Sequence, residues 1–377
     1  MRITSAFLFA SLALSYARPD ASFQAGTPPA QQGGRASSPA GPGSVMRLEV
    51  VVTDKSGAPV SGLTAADFKL LDNKQPQTLI SVQAANGMRT DPPAETILVV
   101  DAVNTAFSVV ANERQWLTSY FKENGGELPL PTSLAIFTDK GILAQDAPSR
   151  DGKVLLNLLD NNANGLRTIS RSQGYWGGVE QNELSVRTLN DFALNAAKRP
   201  GRKLLIWIGP GWPTFPQQTF EMSEKQSVAV FGLITQLSTA LRDADVTLYS
   251  IDPLGVGRNQ FYYQEFLKGA DAPRHVNYGD LMLPVLATQS GGEVLFGDND
   301  LASMIDRCVA EARAYYVLTY APPPADHANE YHSIVVQVAT PGLKAHTRTG
   351  YYAQPASATG VAGPESGTAA KGLYGPK

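Results

Sequence analysis

The sequence has little of what several common kinds of protein depend on. It contains one cysteine, Cys308, so no disulfide can form within the chain and no zinc site can be built from cysteine pairs. It has no run rich in lysine and arginine, and its formal net charge of −3 gives no electrostatic reason to expect binding of nucleic acid. Beyond the first 20 residues, no apolar run is long enough to cross a membrane.

Familiar catalytic signatures are missing as well. The sequence has no Gly-x-Ser-x-Gly, no His-Glu-x-x-His and no Walker A motif. Of its four histidines, His275 and His327 fall in predicted loops and His332 and His346 in predicted strands, where a surface or cross-strand role is expected. Cys308 lies on the apolar stripe of a predicted helix, which indicates a buried, inert thiol. We expect a protein that is not an enzyme, and a secreted hydrolase stays as a third possibility because catalytic triads are assembled in space.

Both ends of the chain differ in composition from the rest. Residues 1–17 read as a secretory signal, with Arg2, an apolar run and small residues at the cleavage positions that end at Ala17. Residues 18–44 and 354–377 are rich in Pro, Gly, Ser and Ala and lack hydrophobic periodicity, so we predict a disordered linker and tail. These features predict a secreted or periplasmic protein with no integral membrane segment after signal cleavage.

Two kinds of pattern alternate in the body of the chain. Residues 46–88 and 314–353 read as short β segments, each too small to bury an apolar face alone. Residues 93–313 alternate apolar strands with amphipathic helices, and a hairpin at Asp139-Lys140-Gly141 adds an antiparallel edge strand. We therefore expect a doubly wound, mostly parallel α/β sheet of the Rossmann-like kind. It would be inserted in a small β domain that the N- and C-terminal segments form together.

Two aspartates end predicted strands of the α/β block. Asp101 follows the apolar run "TILVV", and Asp252 ends "VTLYSID". Parallel strands bring their carboxyl ends to one edge of a sheet, and ligands bind in the crevice where the strand order reverses. In the alternative interpretation, both aspartates only fix turns or cap the segments that follow. The residues expected to line the crevice, with the Gly209–Trp212 loop, are Asp101, Asn104, Thr105, Gly209, Gly211, Trp212 and Asp252.

Together these patterns resemble a von Willebrand factor type A domain. The strand that ends in Asp101, the strand–helix alternation and the hairpin after the second strand carry the resemblance. The flanks "VVVTDKSGAPVSGLTAADFKLLDNKQPQ" and "YYVLTYAPPP", with "PGRKLLIWIGPGWP" inside the α/β block, resemble the exported VWFA-related proteins abundant in acidobacteria. The resemblance covers residues 46–353 and implies an A-type fold, but it implies no established activity.

In A domains of the integrin type, a divalent cation is held by an Asp-x-Ser-x-Ser loop, a Thr and a further Asp. Asp101 matches the leading Asp and Thr105 replaces the second Ser, but Val103 stands at the first Ser, Val179 near the Thr and Gly209 at the further Asp. Two further oxygen donors lie nearby in that mapping, Asn104 and Glu180. The resemblance implies a degenerate metal-ion-dependent adhesion site and no cofactor. The alternative is Mg²⁺ or Ca²⁺ bound through Asp101 and Thr105.

Trp212, in "GPGWP", has two interpretations. It either packs against the domain or offers an exposed aromatic contact to a partner protein. Arg202 and Lys203, at the start of the strand before that loop, are expected to face solvent, and Thr64 is expected to cap a helix. The predicted function is protein–protein interaction or adhesion at the cell envelope through the sheet edge around Asp101 and Trp212, independent of metal. The alternative is divalent-cation-dependent ligand binding.

Overall fold

The structure, a computed structural model, describes residues 45–145, 147–162, 175–212, 222–255 and 262–355. The predicted signal segment, the N-terminal linker and residues 356–377 of the predicted tail lie outside these ranges. All described residues belong to one compact unit of the chain, residues 36–377. The boundaries of the domains within it stay a prediction.

The described strands and helices follow the alternation that the sequence predicts. In chain order the strands are β1 (Met46–Thr53), β2 (Phe68–Asp72), β3 (Gln75–Gln77), β4 (Leu79–Ala85), β5 (Glu95–Asp101), β6 (Glu127–Thr138), β7 (Gly141–Ala144), β8 (Ser149–Asp151), β9 (Lys203–Ile208), β10 (Val246–Asp252), β11 (Val294–Phe296), β12 (Tyr315–Tyr320), β13 (Glu330–Val338), β14 (Lys344–His346) and β15 (Gly350–Ala353). The α-helices are α1 (Phe107–Tyr120), α2 (Gly152–Asn161), α3 (Tyr175–Ala196), α4 (Glu224–Asp243), α5 (Leu283–Ser290) and α6 (Leu301–Ala310). Within the described ranges, no helix combines the length and apolar character that a membrane span requires.

A mostly parallel sheet forms the centre of the α/β block. Its strand order is β11-β10-β9-β5-β6-β7, and β8 pairs with β6. The pairs between β11, β10, β9, β5 and β6 are all parallel, whereas β7 and β8 run antiparallel to β6. The chain moves outward from β5 to β6 and later returns to β9 on the other side of β5, so the strand order reverses between β5 and β9. This mixed, parallel-rich sheet confirms the expected α/β class.

Helices cover both faces of the central sheet because its strands are apolar on both sides. In β9, Leu205 and Trp207 point to one face and Leu204, Ile206 and Ile208 to the other. Helices α3, α4 and α5 pack on the first face, and α1, α2 and α6 on the second, which also buries the thiol of Cys308. Each fully buried large apolar side chain contributes roughly 1.5–3 kcal/mol. The site described below is therefore held on a rigid scaffold.

The flanking strands form two further sheets among the described residues. Their orders are β14-β1-β12-β4 and β15-β13-β2-β3. Each sheet joins strands from both ends of the described chain, because β1 pairs antiparallel with β12 and β2 pairs antiparallel with β13. The two sheets share one apolar core, which includes Leu48, Val50, Leu70, Tyr316 and Ile334. The N-terminal and C-terminal strands thus bury each other's apolar faces.

Two local predictions were wrong. Thr64 caps only a 3₁₀ turn (Ala65–Asp67), and the chain continues from Phe68 as a strand because alternate side chains face the core and pair with β13. The stretch from about Tyr278 to Gln289 reads in the sequence as a single helix, whereas the structure has a 3₁₀ turn (Tyr278–Leu281) followed by α5. A proline in the first turn of α5 explains the new start, since its fixed φ suits a helix beginning and lacks an N–H.

Arg202 and Lys203 were expected to face solvent, but the structure buries both, at 5% and 2% exposed. Arg202 Nε lies 2.9 Å from Oε2 of Glu49, and its guanidinium carbon lies 4.4 Å from the ring centroid of Tyr315. Lys203 Nζ donates to the carbonyl oxygen of Ala244 at 3.0 Å. The cause is tertiary, since Glu49 of β1 and Tyr315 of β12 cover the start of β9.

Candidate functional site

Asp101 lies at the carboxyl end of β5, where the strand order reverses, and it is fully buried. Its Oδ1 accepts hydrogen bonds from the backbone N–H groups of Val103 (3.0 Å) and Asn104 (2.9 Å). Its Oδ2 accepts from Asn104 Nδ2 (2.8 Å) and Trp207 Nε1 (2.9 Å). Burial raises the pKa of Asp101, and the hydrogen bonds from Asn104, Trp207 and Val103 oppose that rise. The carboxylate fixes the loop that follows β5.

This pattern of donors bears on cation binding. An ionised carboxylate offers about four lone-pair positions, and four N–H donors already point at the two oxygens of Asp101. A cation at either oxygen would meet the positive ends of these N–H groups. It would have to displace the indole of Trp207 or the amide of Asn104 to make an ordinary coordinate bond.

Gly209 is in contact with the Asp101 loop from the neighbouring strand β9. Its φ is +144°, and a Cβ atom there would lie 2.9 Å from Thr105 Oγ1 and 3.0 Å from Asp101 Cβ. Only glycine fits such a backbone at so close an approach. The position that would supply an aspartate ligand in the integrin type therefore has no room for any side chain.

Val103 and Val179, at the two other positions where the resemblance implies oxygen ligands, are both core residues. Each is less than a tenth exposed and packs in the cluster that covers one face of the central sheet. Polar contacts continue beside them, because Asn104 Nδ2 also donates to Ser185 Oγ (2.9 Å) and Gln181 Nε2 donates to the Val103 carbonyl (3.2 Å). Helix α3 is thereby bonded to the Asp101 loop.

The Trp212 side chain is 5% exposed, so the interpretation as an exposed aromatic contact was wrong. Its Nε1 donates to the Leu281 carbonyl at 2.6 Å, and its ring lies edge-on to Trp207 with centroids 5.4 Å apart. Gly211, at φ +77°, lets the chain turn inward just before it. The indole is buried because the 3₁₀ turn that ends at Leu281 offers both an apolar surface and an acceptor.

Glu113, which was not predicted from the sequence, carries a buried carboxyl group near the same edge of the sheet. It lies on the sheet-facing stripe of α1 between Val110 and Leu117, and its side chain is fully buried. Neither carboxylate oxygen has a hydrogen-bond partner among the described residues. Burial raises the pKa of Glu113 well above its usual value, and the charges of Asp101 and Asp252 raise it further. The sequence did contain a signal for this position. Glu113 follows Val110 by three residues and precedes Leu117 by four, so it lies on the apolar stripe of the helix.

The remaining predicted residues lie where the strand pattern put them. Asp252 is partly buried at the end of β10, two strands from Asp101, and Thr105 is buried beside Gly209. Asp101, Thr105 and Gly209 are thus brought together, whereas Gly211 and Trp212 turn away toward α5. Phe107, which no sequence signal singled out, is 56% exposed at the first position of α1.

A histidine–carboxylate–hydroxyl cluster, the arrangement that a hydrolase would need, occurs elsewhere in the described chain. His332 Nδ1 lies 2.9 Å from Asp72 Oδ1, and Tyr320 and Tyr351 donate to Asp72 Oδ2 at 3.0 Å and 2.8 Å. His332 is 2% exposed and Asp72 1%, inside the core between the two flanking sheets. His332 is therefore not a surface residue, but it has the expected cross-strand role, because it pairs in register with Tyr351 of β15 and their ring centroids lie 5.0 Å apart. The cluster is a polar contact within a core, without access for a substrate.

No family model matches the sequence, and no curated protein sequence is significantly similar to it. Among solved structures, the chain is similar to the manganese-loaded TRAP protein of Plasmodium vivax, with 9% identity and a TM-score of 0.34 over 71% of this chain and 95% of that one. It is similar to the SpRpn10 VWA domain, with 12% identity and a TM-score of 0.29 over 57% of this chain and 94% of that one. It is also similar to the pilus adhesin SpaC from Lactobacillus rhamnosus GG, with 8% identity and a TM-score of 0.33 over 75% of this chain. The match spans about half of that adhesin, 47% of its length.

Proposed function

We propose that this protein is an exported interaction module that binds a protein partner at the cell envelope, without a metal ion, through the carboxyl edge of its central sheet. The observation that carries the proposal is the state of the Asp101 loop. Four hydrogen bonds to one carboxylate, three from the loop itself and one from Trp207, brace the loop, and α1 starts directly after it with Phe107 exposed. A rigid loop that presents an aromatic side chain suits protein recognition, because little conformational freedom is lost on binding.

The exposed residues around this loop define the contact surface. We use the name Phe107 surface for Ala106, Phe107, Ser108 and Pro210, which are all exposed and flank Thr105 and Gly209 in the chain. Aromatic residues, phenylalanine among them, are enriched in protein–protein interfaces relative to the rest of the surface. Trp212, the residue first expected in this role, belongs to the core instead.

A binding assay with matched variants tests the proposal. Purified wild-type protein, Phe107→Ala and Leu194→Ala are compared for retention on envelope fractions, in EDTA and in Mg²⁺. Leu194 is the control because it is 51% exposed, close to the 56% of Phe107, but lies near the end of α3 that leads into the opposite sheet edge. We expect Phe107→Ala to lose about 2 kcal/mol of binding free energy, roughly 30-fold in Kd, with Leu194→Ala and EDTA neutral. Equal retention of Phe107→Ala and wild type would exclude the Phe107 surface.

Cation-dependent binding at the same edge is the second candidate, and Glu113 is the observation that favours it. Glu113 is a fully buried carboxyl group without a hydrogen-bond partner among the described residues, and its pKa is raised by burial and further by the charges of Asp101 and Asp252. Such a group is of the kind that an added cation would stabilise. The melting temperatures of wild type and Glu113→Gln in EDTA and in millimolar Mg²⁺ or Ca²⁺ separate the two candidates. A rise in wild type that Glu113→Gln abolishes would favour the cation.

A further inference from the structure

A second polar cluster lies beside β10 and β11, which are two and three strands away from β5 and Asp101 in the central sheet. Glu293 directly precedes β11, Glu311 directly follows α6, and His346 ends β14. One ligand atom from each of the three side chains lies within 4.8 Å of those of the other two. We propose that Glu293, Glu311 and His346 form a binding site for one divalent transition-metal ion, with zinc as the best match.

The chemistry of the donors supports this proposal. One imidazole nitrogen and two carboxylate oxygens are a ligand set that zinc accepts, with a fourth position left for water. Carboxylates alone would suit Mg²⁺ or Ca²⁺ better, but the imidazole shifts the preference to zinc and its neighbours in the first transition row. The His346 and Glu293 side chains are 27% and 23% exposed, so the cluster lies near the surface, although their atoms His346 Nε2 and Glu293 Oε2 are themselves buried; Glu311 forms the buried wall at 4%.

The geometry between His346 and Glu311 points the same way. His346 Nε2 lies 3.2 Å from Glu311 Oε1, yet this buried nitrogen makes no properly aligned hydrogen bond to any residue in the described ranges. Two ligand atoms of a tetrahedral zinc ion, each about 2.0–2.2 Å from the metal, lie roughly 3.3–3.6 Å apart. The nitrogen and the oxygen therefore face each other at nearly the separation that a shared ion requires.

Neighbouring side chains hold the two carboxylates in orientation. Tyr249 donates to Glu311 Oε2 at 2.5 Å, which leaves Oε1 facing His346. Arg307 pairs with Glu293, with Nε 2.8 Å from Oε2 and Nη2 3.1 Å from Oε1. Such outer partners fix the direction of metal ligands, and their loss commonly costs about 10- to 100-fold in metal affinity. Tyr249 comes from the interior of β10, so the central sheet itself supports the cluster.

A bound ion would connect segments that are distant in the chain. His346 lies in β14, which pairs with β1 in a flanking sheet, whereas Glu293 and Glu311 belong to the α/β block. The ion would thus bind only the folded chain, because the unfolded chain does not hold the three ligands together. Metal binding should therefore raise the stability of the folded protein.

Titration of tag-free, chelator-treated full chain with Zn²⁺ tests the proposal by calorimetry. Co²⁺ serves as a second probe, because a tetrahedral Co²⁺ site absorbs visible light much more strongly than the hydrated ion. We expect one Zn²⁺ per chain and, at a hundredfold excess over Kd, a rise in melting temperature of about 5 °C. Absence of saturable binding by wild type up to about 1 mM Zn²⁺ would overturn the proposal and leave an ion-pair cluster only.

Variants identify the ligands. His346→Gln and Glu311→Gln should each weaken Zn²⁺ binding at least about 100-fold, and Arg307→Gln about 10-fold. The matched control is His275→Ala, which removes another histidine–carboxylate pair, since His275 Nδ1 lies 2.5 Å from Asp271 Oδ1 on the surface. Circular dichroism checks that each variant is folded. Binding of His346→Gln at wild-type strength would show that zinc binds elsewhere, and the wild-type titration stands even if a variant fails to fold.

Discussion

The two edges of the central sheet neutralise buried charge in different ways. At the carboxyl edge, Asp101 is satisfied by neutral N–H donors, three of them from its own loop and one from Trp207 on the adjacent strand. At the amino edge, charged groups from separate segments pair, as Arg202 does with Glu49 and His346 with Glu311. The first arrangement holds a loop in shape, and the second joins the flanking strands to the α/β block.

The difference shows why the same residue types have different roles in one fold. A carboxylate that accepts local N–H groups depends on the sequence around it, and a cation has little to gain there. A carboxylate paired with a distant side chain depends on tertiary contacts, and a metal ion can take the place of that side chain. The measurements below test this contrast, beginning with the largest expected effect.

Breaking the Arg202–Glu49 pair should have the largest effect. Arg202→Met leaves Glu49, whose pKa burial already raises, without its partner, so we expect a loss of about 3–5 kcal/mol in the free energy of unfolding. Urea denaturation measures the loss. Arg114→Met is the control, because Arg114 pairs with Asp160 on the surface at side-chain exposures of 34% and 63%, where about 0–1 kcal/mol is expected. Recovery of stability in Glu49→Met/Arg202→Met would complete the test.

Removing the Asp101 carboxylate should come next in size. Asp101→Ala leaves buried N–H groups without acceptors, so the free energy of unfolding should fall by about 3 kcal/mol. Asp101→Asn keeps the shape and should lose less. If Asp101 were instead a metal ligand left without its ion, its removal would stabilise the metal-free protein. Unchanged or increased stability of Asp101→Ala in EDTA would therefore contradict the loop-fixing role.

Replacing Glu113 should raise stability. Its pKa is raised well above the usual value, so its favourable contribution is complete below about pH 4.5 and is lost as the pH rises through the raised folded-state pKa. Glu113→Met should gain about 1–2 kcal/mol at neutral pH and less at pH 5. Denaturation at both pH values measures the gain, and Glu123→Met, on an exposed residue, is the control. A gain that does not change with pH would be inconsistent with this explanation.

Phe107→Ala should have the smallest effect on stability. The side chain is 56% exposed at the start of α1, so the free energy of unfolding should change by about 0.5 kcal/mol or less. Thermal or urea denaturation checks this value. A small change is required if the binding assay with Phe107→Ala is to report on contact with a partner. A loss above about 2 kcal/mol would mean that Phe107 is part of the fold rather than of a contact surface.

The course of the backbone was largely predictable from local patterns. The run "VTLYSID" predicts β10 at its observed bounds, Val246–Asp252. The apolar stripe that follows Lys225 predicts a helix from about Lys225 to Asp243, and α4 starts one residue earlier, at Glu224. The error at Thr64 arose where a capping signal and two adjacent leucines imitated a helix, although Phe68 and Leu70 fit a strand equally well. Short apolar runs fit both periods, and the pairing partner decides between them.

The candidate site was only partly predictable. The reversal of strand order brought Asp101 and Gly209 together, as the sequence implied. The burial of Trp212 was not predictable from the sequence. The hydrogen-bond acceptor of its indole, the Leu281 carbonyl, lies far along the chain in a turn that no sequence motif predicts. Exposure of a loop residue depends on what packs over it, and local sequence does not report that.

By itself, the sequence determined the strand–helix alternation, the parallel α/β class and the presence of an aspartate at the end of β5. These follow from hydrophobic periodicity and turn residues, which act over a few neighbouring positions. The tertiary structure alone decided the partners of the charged and aromatic side chains. Arg202 meets Glu49, and Glu311 meets His346, because strands from both ends of the described chain pair beside the central sheet. Contacts between segments so distant in the chain depend on the whole fold, so local patterns do not encode them.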